Sequence, residues 1–164
     1  MKIDAIVYES NTGFTRKYAE LLSQATDLPA YERKMAGTNV KKDSAVFYMG
    51  WLLAGSVKGF KKARSKFRIK GLAAVGMSNP ADEAALDAVL KYRQDDMPAF
   101  YLQGGFDKNK LRGIYKFMMN NVSSSLSKKE NKTDAELQML DITANGADFI
   151  KKENLDPIIA WIAL

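Results

Sequence analysis

Neither cysteine nor histidine occurs anywhere in this 164-residue amino-acid sequence. Without cysteine there are no disulfides, no thiolate-held zinc or iron–sulfur sites and no sulfur nucleophile. Without histidine there is no Ser-His-Asp triad and no imidazole metal ligand, and the usual proton shuttle near neutral pH is missing. Demanding chemistry therefore falls to carboxylates, lysines, tyrosines or a bound cofactor. Proline is scarce, with four residues in all, and no proline-rich linker, repeat or low-complexity tract divides the chain. Long apolar runs are missing too. The longest stretch free of charge, Ser44 to Val57, has 14 residues, too few for a membrane-spanning helix. Met1 to Tyr8 is too briefly apolar, and interrupted by Asp4, to read as a signal peptide, so the sequence predicts a cytoplasmic protein.

What is present suits one globular domain. Hydrophobic residues make up 46% and charged residues 27%, enough for a core and too apolar for a disordered tail. The net charge is +6, unevenly distributed. Residues 57–70 hold Lys58, Lys61, Lys62, Arg64, Lys66, Arg68 and Lys70 with no acid, a local +7. Residues 104–132 carry a further +5, which leaves −6 on the rest of the chain. Two readings fit: a solvated helix face, or a field that draws an acidic partner or anionic surface to one side.

The apolar pattern alternates strand and helix. Ile3 to Tyr8, Leu28 to Glu32, Ala45 to Met49 (closed by Gly50), Leu72 to Met77 and Pro98 to Leu102 read as five strands. Between them, helices are predicted over Thr15 to Ala25, over Val57 to Phe67 with its cations outward, and from an Asn79 N-cap with Pro80 at the first turn. That last helix is expected to bury Leu86, Val89 and Leu90. Strands apolar on both faces, alternating with helices, predict a parallel sheet covered on both sides. Beyond Leu102 the pattern changes. Lys110 to Leu126 predicts a helix with Leu111, Ile114, Tyr115, Met118 and Val122 on one face. Thr133 and Glu136 form a capping box for another, ended at Asn145-Gly146, and Asp156-Pro157 opens a last helix.

The chemistry-bearing stretch is Ser10-Asn11-Thr12-Gly13-Phe14-Thr15, between the first strand and the first helix. A strand end, a hydroxyl-rich loop and a helix start offer free N–H groups and a favourable dipole to an anion. Ordinary helix capping explains the same residue types. The loop is neither a Walker loop nor a Gly-x-Gly-x-x-Gly fingerprint.

Ser10-x-Thr12-Gly13-x-Thr15 after an apolar strand resembles the phosphate loop of flavodoxins, which holds the phosphate of FMN. The resemblance covers about residues 1–105. It implies a flavodoxin-like three-layer α/β/α sandwich with a five-stranded parallel sheet of order 2-1-3-4-5, an arrangement for which flavodoxin is itself the standard example. With no linker in the chain and a change of pattern after Leu102, residues 1–164 read as a single domain, with about 104–132 as an inserted helical segment and extra helices after the fifth strand. The resemblance also implies two further FMN-binding loops. Gly50, Trp51, Leu52, Leu53, Ala54 and Gly55 correspond to the loop that lays a side chain on the isoalloxazine. Met77, Ser78 and Asn79 correspond to the loop bordering the pyrimidine end. Trp51 is either the stacking residue or a core tryptophan. The 77–79 loop lacks the tyrosine common in flavodoxins, so Met77 or a residue of the insertion would take the second stacking position.

A looser likeness joins Gly104-Gly105-Phe106-Asp107 and the methionine-bearing helix after it to flavodoxin-domain proteins related to menaquinone-dependent protoporphyrinogen dehydrogenase. The resemblances imply an FMN flavoprotein of electron transport, carrying electrons between cytoplasmic partners; the basic segment at 57–70, opposite in sign to the usual flavodoxin surface, adds the expectation of an acidic redox partner. The alternative is a flavodoxin-domain oxidoreductase acting on a quinone or protoporphyrinogen-like substrate, with peripheral membrane contact. No catalytic residue, metal ligand or nucleic-acid motif is assigned.

Overall fold

A computed structural model describes residues 2–93 and 97–164. The first strand, β1 (Ala5–Glu9), is buried almost throughout and ends in the 10–13 loop. Gly13, at φ 100°, turns that loop into α1 (Phe14–Thr26), whose Phe14, Thr15, Tyr18, Ala19 and Leu22 are buried. The short strand β2 (Ala30–Glu32) runs directly into α2 (Arg33–Asn39), which lies in a stretch the sequence left unassigned.

The third strand, β3 (Ala45–Leu53), overruns its predicted end at Gly50. It turns at Ala54 and Gly55, both with positive φ as a two-residue hairpin turn requires, into β4 (Ser56–Val57). The helix predicted over Val57 to Phe67 is only α3 (Phe60–Arg64). Val57 belongs to the hairpin, while Arg68 and Lys70 belong to β5 (Arg68–Gly76). The seven cations of 57–70 therefore do not share one helical face.

Asn79 does not cap the next helix. Its Oδ1 accepts from the Ala81 N–H at 2.9 Å, a local turn, and α4 (Glu83–Leu90) starts after Asp82. Its buried side is made of small residues, Ala85, Ala88 and Val89, while Leu86 and Leu90 are about half exposed, against expectation. After β6 (Ala99–Gln103) comes a two-residue strand, β7 (Gly105–Phe106). The helices α5 (Gly113–Lys128) and α6 (Asp134–Asn145) follow, and β8 (Ala147–Asp148) pairs back antiparallel to β7. The Thr133–Glu136 capping box is formed, and Gly146 ends α6 at φ 78°. Leu111 lies before α5 rather than on it, and Ile114 is exposed; Tyr115 and Met119 are the α5 residues that pack inward. A 3-10 turn (Lys152–Leu155) leads into α7 (Asp156–Ile162), with Pro157 in its first turn.

The central sheet runs β2-β1-β3-β5-β6 with all neighbours parallel, and β4 adds an antiparallel arm to β3. Alternate residues face opposite sides, as the two-residue strand period demands. Val7, Val46, Tyr48, Leu72 and Ala74 point to one side, with Ala36, Phe60, Ala63 and Val89 from α2, α3 and α4. Ile6, Phe47, Met49, Ala73 and Val75 point to the other, with Tyr18 and Leu22 from α1 and Ile158 from α7. The result is an α/β protein with a mostly parallel central sheet flanked by helices. A third, smaller core of Phe106, Leu111 and Ile142, with Tyr115, Met119 and Phe149 against it, ties the α5–α6 pair to the sheet. Among the described residues no helix is long and apolar enough to cross a membrane.

Candidate functional site

Because α1 covers one face and α3 the other, the chain leaves β1 and β3 in opposite directions and opens a crevice at their carboxyl ends. A cavity of about 480 Å³ occupies this end of the sheet, within the usual range for small-molecule sites. Ser10, Asn11, Thr12, Phe14 and Thr15 line it from the first loop, Trp51 to Gly55 from the end of β3 and its turn, and Met77 and Ser78 from the loop after β5. Three segments far apart in sequence thus meet in one space. Gly13, Gly50 and Asn79 do not line it.

Each of these three has another place in the structure. Gly13 holds the left-handed conformation at the start of α1, and a Cβ there would meet nothing within 4 Å. The positive φ is by itself a reason for glycine at this position. Gly50 is a strand residue, and a Cβ would lie 2.6 Å from Val57 Cγ1 and 2.7 Å from the Lys58 carbonyl, so its bareness lets the hairpin fold back. Asn79 is exposed in its local turn, where its N–H donates to Asp82 Oδ2 at 3.2 Å.

At the first loop Ser10 Oγ accepts from the Gly13 N–H at 3.2 Å and the Arg16 N–H at 3.3 Å, so Ser10 organises the loop. Among the described residues, the N–H groups of Asn11, Thr12, Phe14 and Thr15 have no acceptor. Thr15 is 2% exposed and is among the residues that line the cavity. Unpaired donors at a helix start are suited to an anion. Among the described residues no charged side chain lines the cavity: Arg16 pairs with Glu20 at 3.3 Å, and Lys17 with Asp148 at 2.8 Å.

The rest of the cavity is apolar and aromatic. Trp51, paired in register with Val75, meets Tyr115 of α5 edge to face, with ring centroids 5.1 Å apart and planes at 87°. Trp161 is partly buried and packs against the core. Its ring lies against Gly71, between Phe47 and Phe100. Tyr101 lines the cavity from β6 and donates to the Ser78 carbonyl at 2.9 Å, while Gln103 Nε2 donates to the Met77 carbonyl at 3.2 Å. These two bonds fix the 77–78 loop. Burial pushes the Tyr101 hydroxyl far above its ordinary pKa, so it stays a neutral donor. Bare Gly76 makes room for the Tyr101 ring.

Tyr101, Phe106, Tyr115, Met118, Met119 and Met139 also line the cavity and are absent from the residues expected there. The signal available for the α5 residues is the methionine-bearing face of that helix. Nothing local places Met139 of α6 or Tyr101 beside the first loop. No family model matches this sequence, and no curated protein matches it.

Proposed function

We propose that this cavity binds FMN and that the protein is a flavodoxin-type electron carrier. The observation that carries the reading is the union of two unlike ends in one space. One is a charge-free cradle of unpaired N–H groups and threonine hydroxyls; the other is an apolar body lined by Trp51, Tyr115 and methionines. A phosphate fits the first, held by hydrogen bonds alone, and a flat heterocycle fits the second. With the two-residue β4 set aside, the order β2-β1-β3-β5-β6 supports the flavodoxin-like order 2-1-3-4-5. On this reading residues 1–164 form one domain, the α5–α6 segment is its insertion, and the protein works in the cytoplasm with an acidic redox partner.

FMN, when bound, supplies the one- and two-electron chemistry. The chain's part is to hold the phosphate at Thr12 and Thr15 and to seat the ring beside Trp51. The apolar walls exclude water there. Titration with FMN, riboflavin and FAD tests the reading. FMN is expected to bind at least tenfold more tightly than riboflavin, and equal affinities overturn it, since the phosphate cradle would then contribute nothing.

The apolar roof of Met118, Met119, Val122 and Met139 favours a second reading, an oxidoreductase acting on a quinone or protoporphyrinogen-like substrate. Sustained turnover of the FMN-loaded protein with a quinol or porphyrinogen separates the two.

A further inference from the structure

A second cleft, of about 700 Å³, lies on the other side of the β3–β4 hairpin. Its walls include Arg33, Lys58, Lys61, Lys62, Arg64 and Lys91, and among the described residues the one carboxylate that lines it is Glu9. Glu9 is already engaged: it is paired with Arg33, with side-chain exposures of 24% and 17%. The Lys91 ammonium donates to the Gly55 carbonyl. Among the described residues, Lys58, Lys61, Lys62 and Arg64 have no ion-pair partner.

The floor is rigid. Tyr48 donates to the Lys58 carbonyl at 2.6 Å, the Val57 N–H donates to the Tyr92 hydroxyl at 3.0 Å, and Phe60 stacks edge-on against Tyr92 at 5.0 Å. Burial, and after it the nearby Glu9 carboxylate, raise the Tyr48 hydroxyl far above its usual range, so Tyr48 adds no charge of its own. Like charges gathered in one concavity repel each other, and a ligand of opposite sign relieves that repulsion. The selection is positional. Lys66, from the same basic segment, reaches instead toward Gly37 of α2, and Arg68 and Lys70 lie on β5.

We propose that this cleft is a second binding site, taking a small molecule that carries two or more carboxylate or phosphate groups. Tyr115 lines both this cleft and the first cavity, so the anion would sit beside the Trp51 end of that cavity. The proposal does not depend on what fills the first cavity.

Calorimetric titration of the whole protein with citrate and with inorganic pyrophosphate, in about 0.01 M salt, tests it. One-site saturation by either probe is expected, and which of them binds more tightly separates a carboxylate from a phosphate ligand. Lys58→Gln, Lys61→Gln and Arg64→Gln should each weaken binding about tenfold, the cost of one charge-assisted contact. Lys66→Gln and Lys70→Gln remove the same charge away from the cleft and should leave binding within twofold of the parent, as should Thr12→Ala in the first cavity. Failure of both probes to saturate overturns the proposal. Equal weakening by Lys66→Gln and Lys61→Gln does so too, because only a diffuse field would then be at work. Binding of polyglutamate but of neither small anion would reassign the face to an acidic protein.

Discussion

Thr12 and Gly13 are neighbours in one loop, yet the structure gives them opposite kinds of importance. Thr12 lines the cavity beside N–H groups that have no acceptor among the described residues, and on the proposed reading its contribution is to a ligand. Thr12→Ala is expected to leave stability unchanged and to weaken FMN by about 1.5–3 kcal/mol, roughly ten- to a hundredfold by equilibrium titration. Gly13 sits at φ 100° with open space where a Cβ would be. Gly13→Ala therefore costs backbone strain, about 1–2 kcal/mol in chemical denaturation, whether or not ligand is present. The two tryptophans divide in a similar way. Trp51 lines the cavity and Trp161 is packed between Phe47 and Phe100. FMN binding should quench tryptophan emission, with most of the quenching lost in Trp51→Ala and retained in Trp161→Phe; the reverse pattern would remove Trp51 from the ring-binding end.

At the scale of elements, the α5–α6 pair is tied to the body through the β7–β8 ribbon, and Lys17 of α1 reaches Asp148 of β8 at 2.8 Å. Burial raises the Asp148 pKa, but the Lys17 ammonium, the Ile150 N–H and the more distant Lys110 outweigh it and hold the carboxyl below its ordinary value. A carboxyl depressed in the folded state stabilises above its unfolded pKa and loses that contribution as pH falls below about 4. Both partners are half exposed, so the pair is worth only about 0.2–1 kcal/mol. Asp148→Asn should lower stability by that much at pH 7 and flatten its decline below pH 4; an unchanged acid limb in denaturation would exclude Asp148 from the acid response.

The same scale separates what the sequence announced from what it concealed. Both strand faces and the Thr133 capping box were legible because period and capping chemistry are local. The helix expected over 57–67 was not formed as read: Val57, Phe60 and Phe67 have helical spacing but are buried from a hairpin arm, a short helix and the approach to β5. The α4 pattern favoured its leucines, whereas the face that approaches the sheet is the alanine side. Of the candidate site, the 10–15 loop was readable from residue type, while Trp51 came only with the family resemblance. The roof from α5 and α6 was not, since long-range packing alone brings it over the cavity.

For the whole molecule the decisive quantity is the distribution of charge. A net +6 with +7 concentrated in residues 57–70 creates a field that favours anions on the hairpin side, beside the proposed flavin end. That field belongs to the segment as a whole, since its cations occupy the β4–α3 connection, α3, the α3–β5 connection and β5 rather than one helix. Exposed charges are screened beyond about 10 Å at 0.1 M salt, so the effect should appear in encounter rates more than in final affinity. Reduction of the FMN-loaded protein by an acidic donor protein is expected to slow several-fold as salt rises. A single Lys61→Gln should barely alter that salt dependence, because one charge among seven changes a distant field little. Reversing Lys58, Lys61 and Lys62 together to glutamate should abolish it. Stopped-flow rates that stay flat or rise with salt in the parent protein would leave the basic segment without a steering role and confine its action to ligands held in the cleft.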